Sequence, residues 1–132
     1  MSRPESSPLP ALQEAVANNL IRHRSILDII SKLDETNAKV NRSVARSVTL
    51  CGCIQVHAEK QQLGESLHQC LECANSHVQG ELCEECTEQL EQELGRHLYY
   101  LAALCNSLGV SLDQVVRQEL ERLSALGLFT LA

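Results

Sequence analysis

The chain has 132 residues, which suits one domain with a substantial core and is short for two. Its net charge of −6 is uneven: residues 1–60 hold eight Lys and Arg against six Asp and Glu, whereas residues 61–132 hold three against eleven. This acidic balance argues against a nucleic-acid partner. Apolar residues make up 44% of the sequence and aromatic residues only 2%, a composition that favours aliphatic helices packed on one another.

The sequence also bears on the compartment. The N-terminus lacks the apolar segment of a signal peptide, and no apolar run approaches the roughly 20 residues of a membrane-spanning helix. We therefore expect a cytoplasmic protein with no membrane partner. In a reducing cytosol the seven cysteines are not expected to form disulfides, so metal binding or redox chemistry becomes the leading interpretation.

Residues 1–10, with three prolines and three serines, are predicted to be a flexible lead-in to a single helical domain over residues 11–132. The first helix is predicted from Ala11 to about Arg22, and a long second helix from Ser25 to at least Thr49. The second helix carries an apolar seam in alternating steps of four and three, formed by Ile26, Ile30, Leu33, Asn37, Val40, Val44 and Val48. The shorter helices cannot cover this seam, so we expect a homo-oligomer.

A polar connector from Gln61 to Gly80 interrupts the helical pattern. The third helix is predicted from about Cys83 to Leu108, where Gly109 ends it. Ser111 and Gln114 form a capping pair that starts a fourth helix. The predicted fold is all-α: a four-helix bundle-like domain with one long helix and a cysteine-rich, metal-binding connector at about residues 51–86.

Two C-x-x-C pairs lie close together in and beside the connector. Cys70 and Cys73 form the first, and Cys83 and Cys86 form the second after nine intervening residues. A two-residue gap lets one tight turn aim both sulfurs at a single ion, and four thiolates complete a closed tetrahedral site for zinc. An iron–sulfur cluster is the alternative occupant.

A rival second pair is formed by Cys51 and Cys53, on either side of Gly52. If the long helix ends near Gly52, its end could return beside the start of the third helix, so that this pair shares an ion with Cys83 and Cys86. His57 and His77 are substitute ligands. Cys105 lies among the leucines of the third helix and is predicted to be a small core residue.

Two other charged groups are candidates for binding. Glu84, Glu88 and Glu91 share a face of the third helix and are predicted to form a solvated face near its N-terminal end. On the second helix Lys39, Arg42 and Arg46 line one side, where they could receive a phosphate or pair with the acidic half of the chain.

The stretch from Glu93 to Asp113 reads ELGRHLYYLAALCNSLGVSLD and runs on into the fourth helix. Over roughly residues 91–123 it resembles the second half of the MazG-like all-α nucleoside triphosphate pyrophosphohydrolases. The resemblance implies a helical bundle that forms a dimer or a dimer of dimers. It also implies Mg²⁺, held on a nucleotide's phosphates by an E-x-x-D pair and an E-E-x-x-E motif.

The catalytic pattern of that superfamily departs from this sequence. Glu93 matches the first acid of E-x-x-D, but Arg96 stands at the second position, and a cation cannot ligate Mg²⁺. The long helix contains no E-E-x-x-E.

We therefore expect a metal-stabilised, non-catalytic, dimeric binding or scaffold module. One alternative is a nucleotide pyrophosphohydrolase with an altered Mg²⁺ site in which Glu93 is the candidate catalytic residue. Another is a redox or metal sensor that uses Cys51 and Cys53.

Overall fold

A computed structural model describes residues 7–62 and 64–127. Its five helices are α1 (Leu9–Asn19), α2 (Ile26–Arg46), α3 (Leu67–Cys73), α4 (Glu84–Leu108) and α5 (Leu112–Leu126). A π-helical turn, Ser47–Cys51, continues α2, and two short strands follow as β1 (Ile54–Val56) and β2 (Val78–Gly80). Residues 1–6 of the predicted lead-in and the last five residues of the predicted domain lie outside the described residues.

The predicted all-α fold is confirmed, and the four predicted helices correspond to α1, α2, α4 and α5. Serine side chains begin two of them. The Ser25 hydroxyl accepts a hydrogen bond from the Leu27 amide, and the Ser111 hydroxyl accepts one from the Gln114 amide. No helix in the described part of the chain combines the length and apolar content needed to cross a membrane.

The hydrophobic core lies where α1, α2 and α4 meet. Its buried members are Val16, Leu20, Ile29, Ala102 and Ala103. Ile29, near the start of α2, contacts the alanines in the second half of α4, whereas Cys51 lies beside Cys83 at the start of α4. These two helices therefore run antiparallel.

Small side chains line α2 where it faces α4. Thr36, Ser43 and Ser47 are buried, and the Thr36 hydroxyl lies 2.8 Å from Nδ1 of His97 on α4. Small residues let two helices approach closely. The predicted seam of α2 is accordingly only partly right, because Ile30 and Val44 keep 47% and 42% of their surface exposed.

The connector holds structure that the sequence pattern did not reveal. β1 pairs antiparallel with β2, with Ile54 opposite Gly80 and Val56 opposite Val78. Strands of three residues are too short to show an alternating apolar pattern. The short helix α3 begins with a capping box between Ser66 and Gln69, a signal that could have predicted its start.

The core assignment predicts a large difference between a buried and an exposed isoleucine. Ile29→Ala should lower the free energy of unfolding by about 2–5 kcal/mol, because it empties a packed site. The control Ile21→Ala removes a side chain that is 84% exposed and should change the free energy by less than about 0.5 kcal/mol. Urea denaturation measures both. Equal effects would contradict the core described here.

Candidate metal centre

α2 continues into a π-helical turn that leads to the first pair of cysteines, Cys51 and Cys53. In the π-helical turn the Gly52 amide donates to the Ser47 carbonyl over 2.9 Å, and Gly52 then takes a left-handed conformation with φ of 78°. Single π-helical turns are rare and are frequent at functional sites. Because the turn follows α2 directly, Cys51 and Cys53, on either side of Gly52, both lie just after the end of α2.

The hairpin returns the chain to the same place. Gly80, the last residue of β2, lies so close to β1 that a Cβ there would be 2.6 Å from the Cys53 carbonyl oxygen. Its φ of 86° also favours glycine. Because Gly80 fixes β2 against Cys53, the next residues deliver Cys83 and Cys86 beside the first pair.

The four sulfur atoms of Cys51, Cys53, Cys83 and Cys86 all lie within 4.8 Å of one another. The sulfurs of Cys51 and Cys83 are 3.9 Å apart. Cys86 is buried and Cys51 is exposed, so the group spans the boundary between the bundle and solvent. Four thiols so arranged could bind a metal ion.

The position of Cys83 at the start of α4 favours ionisation of its thiol. Cys83 is the N-cap residue, and its sulfur accepts a hydrogen bond from the Cys86 amide over 3.4 Å. This backbone donor, together with the Cys86 thiol, lowers the pKa of Cys83. A lowered thiol pKa favours the thiolate that binds metals.

The thiols of Cys51 and Cys86 resist ionisation, because their pKa values are raised. The Ser47 hydroxyl lowers the pKa of Cys86, but the Cys83 thiol and burial outweigh it and raise this pKa to about 12. The Cys86 thiol lowers the pKa of Cys51, but the neighbouring Cys83 and Cys53 thiols outweigh it and raise this pKa. A bound cation would favour the thiolate form of these cysteines, and its binding would therefore release the thiol protons.

The structure brings together one of the two alternative ligand sets. Cys83 and Cys86, common to both, lie with Cys51 and Cys53. Cys70 and Cys73 lie on α3 outside this group, and the Cys70 thiol instead donates to the Gly64 carbonyl over 3.4 Å. The reason is the hairpin, which leads the end of α2 directly back to α4 and leaves α3 to one side.

The remaining candidate ligands do not join the group. The backbone amide of His57 donates to the His77 carbonyl over 2.9 Å, and this bond extends the hairpin. The His57 ring lies 3.1 Å from the Gln55 side chain. Cys105, predicted to be a small core residue and not a ligand, is buried in α4 far along the helix from Cys83.

The candidate carboxylates lie along α4. Glu84, Glu88 and Glu91 are exposed, and Glu93 lies 3.7 Å from Arg96. Within residues 7–62 and 64–127 the cysteine group is the one cluster of three or more potential metal ligands. Among these residues Glu93 therefore belongs to no group of three or more potential metal ligands.

Comparison of the chain with protein-family models, with curated proteins and with solved structures gives no match.

The close approach at Gly80 predicts a matched pair of substitutions. Gly80→Ala should lower the free energy of unfolding by about 1–3 kcal/mol, because the new Cβ meets the Cys53 carbonyl in a strained conformation. The control Gly95→Ala adds a Cβ with nothing within 4 Å inside α4, and it should raise stability by up to about 1 kcal/mol. Denaturant unfolding measures both. A harmless Gly80→Ala would contradict the proposed role of the hairpin.

Proposed function

We propose that the protein is a zinc-stabilised helical bundle that acts as a dimeric, non-catalytic binding or scaffold module in the cytoplasm. The observation that carries this proposal is the group of four cysteine sulfurs within 4.8 Å of one another. Seven cysteines, all of them free, fit a reducing compartment.

Sulfur spacing supports a single ion. A tetrahedron with zinc–sulfur bonds of about 2.3 Å places its sulfurs roughly 3.8 Å apart. The 3.9 Å between Cys51 and Cys83 fits this spacing. An iron–sulfur cluster places several irons and sulfides between its cysteines, so it needs more room than one ion. Zinc is the divalent ion that four-thiolate tetrahedral sites commonly hold.

The donor set supports a structural role for the ion. Four thiolates complete the tetrahedron, whereas a catalytic zinc keeps one position for water or substrate. Two of these ligands follow α2 and two lie at the start of α4, so the ion would join the end of one helix to the start of the other. The hydrophobic core that these helices share lies at the opposite end of the bundle. The role of zinc here is to hold the end of α2 and the start of α4 together.

Exposed apolar surface supports a second copy of the chain as the partner. In the described structure α5 has no buried residue, although Val116, Leu120 and Leu123 recur on one face at helical spacing. Leu120, for example, keeps 61% of its surface exposed. Together with the uncovered seam of α2, this face fits the interface of a homodimer.

We also propose a distant relation to the MazG-like pyrophosphohydrolases, for which the consecutive helices α4 and α5 give support. The loss of the superfamily's Mg²⁺ carboxylates from the sequence favours binding over hydrolysis.

Metal analysis of protein purified without chelator tests the zinc proposal. We expect roughly one zinc per chain, as a closed four-thiolate site requires. Replacing Cys51 and Cys53 together by serine should abolish zinc binding, whereas the matched replacement of Cys70 and Cys73 should retain it. The proposal fails if the wild-type protein binds no zinc, or if only the Cys70 and Cys73 double variant loses zinc.

Light scattering after size-exclusion chromatography at micromolar concentration tests the dimer. We expect twice the monomer mass of 14.6 kDa. Leu120→Glu with Leu123→Glu should give monomers, because two charges enter an apolar interface. The control Gln114→Glu with Gln118→Glu adds the same charge on the polar side of α5 and should remain dimeric. A monomeric wild-type protein would rule the dimer out.

A further inference from the structure

A groove of about 300 Å³ runs between α2 and α4, between the hydrophobic core and the cysteine group. Its walls are formed by polar and charged residues together with the aliphatic parts of their side chains: Lys39, Arg42, Ser43, Arg46, Gln89, Gln92 and Glu93. This volume is at the small end of the range for ligand sites.

Two arginines of the groove are available to an anion. Lys39 pairs with Glu35 over 3.1 Å. Arg42 and Arg46, by contrast, form no ion pair with another described residue. They lie about one helical turn apart, roughly 6 Å along α2. Two guanidinium groups at this spacing can bind one phosphate group through paired hydrogen bonds.

The groove also contains buried polar atoms without partners. The Ser43 hydroxyl and one carboxylate oxygen of Glu93, Oε2, are enclosed, and no described residue forms a hydrogen bond with either. Ser43 is only 7% exposed. Buried polar groups in native proteins nearly always have partners, so each of these two atoms needs a partner from outside the described residues, which a ligand in the groove would supply.

We propose that this groove binds a small phosphorylated molecule that also carries a hydrogen-bond donor such as an amino or hydroxyl group. Arg42 and Arg46 hold the phosphate directly. Glu93 accepts the hydrogen bond from the donor, and Ser43 contacts the enclosed part of the ligand. The inference rests on the proposed role as a binding module and names its ligand class.

The charge pattern of the groove favours direct binding over binding through a divalent cation. The groove is lined by three cations and one carboxylate, of which Lys39 already pairs with Glu35 and Glu93 with Arg96, and a Mg²⁺ ion prefers several oxygen ligands. A lone phosphate would be repelled by Glu93, whereas a ligand with a positive amino group would pair with it. Glu93 is therefore expected to select among phosphorylated molecules.

Calorimetric titration of the zinc-loaded, full-length protein tests the proposal, with inorganic phosphate and ethanolamine phosphate as probes in buffer without Mg²⁺. The wild-type protein should bind both and prefer ethanolamine phosphate. Arg42→Gln with Arg46→Gln should weaken both by at least about tenfold, because charged hydrogen bonds are lost. The control Arg22→Gln, an exposed arginine outside the groove, should bind as wild type does.

Glu93→Gln separates the two parts of the site. It should remove the preference for ethanolamine phosphate without weakening inorganic phosphate. Unchanged zinc content and unfolding temperature in each variant separate a failure of this site from a failure of the metal proposal. The inference is overturned if neither probe binds, if the arginine double variant binds normally, or if binding requires Mg²⁺ and is lost in Glu93→Gln.

Discussion

Close antiparallel packing of α2 against α4 determines where every other part of the molecule lies. Small buried side chains, Thr36 and Ser43 on α2 and Ala102 and Ala103 on α4, keep the two helices near each other over most of their length. As a result the end of α2 meets the start of α4. Cysteines distant in sequence, Cys51 and Cys83, reach 3.9 Å there, and the β1–β2 hairpin returns the chain between them.

The bundle is held differently at its two ends. At one end α1 completes a hydrophobic core around Ile29, and Gln13 ties α1 to the turn after α4 through bonds to the Asn106 side chain and the Val110 carbonyl. At the other end the buried apolar residues are few, and thiols take their place. A metal ion there would supply the stability that the core does not. The basic groove lies between these two ends.

The helices could be predicted from sequence because periodicity and caps are local signals. The partner of Cys83 and Cys86 could not be decided, since it depends on a hairpin of two three-residue strands and on one close contact at Gly80. Spacing alone also favoured Cys70 and Cys73, which lie on α3 outside the cysteine group, because spacing carries no tertiary information. The buried line of α2 was misjudged for a related reason: Thr36 and Ser43 are polar in sequence, yet their small size suits a helix interface.

X-ray absorption at the zinc edge of the purified protein tests the central claim most directly. The account predicts a first shell of four sulfur atoms at about 2.3 Å and no nitrogen or oxygen ligand. The same spectrum should be seen when Cys70 and Cys73 are replaced. A shell with nitrogen or oxygen donors, or no ordered zinc, would contradict it.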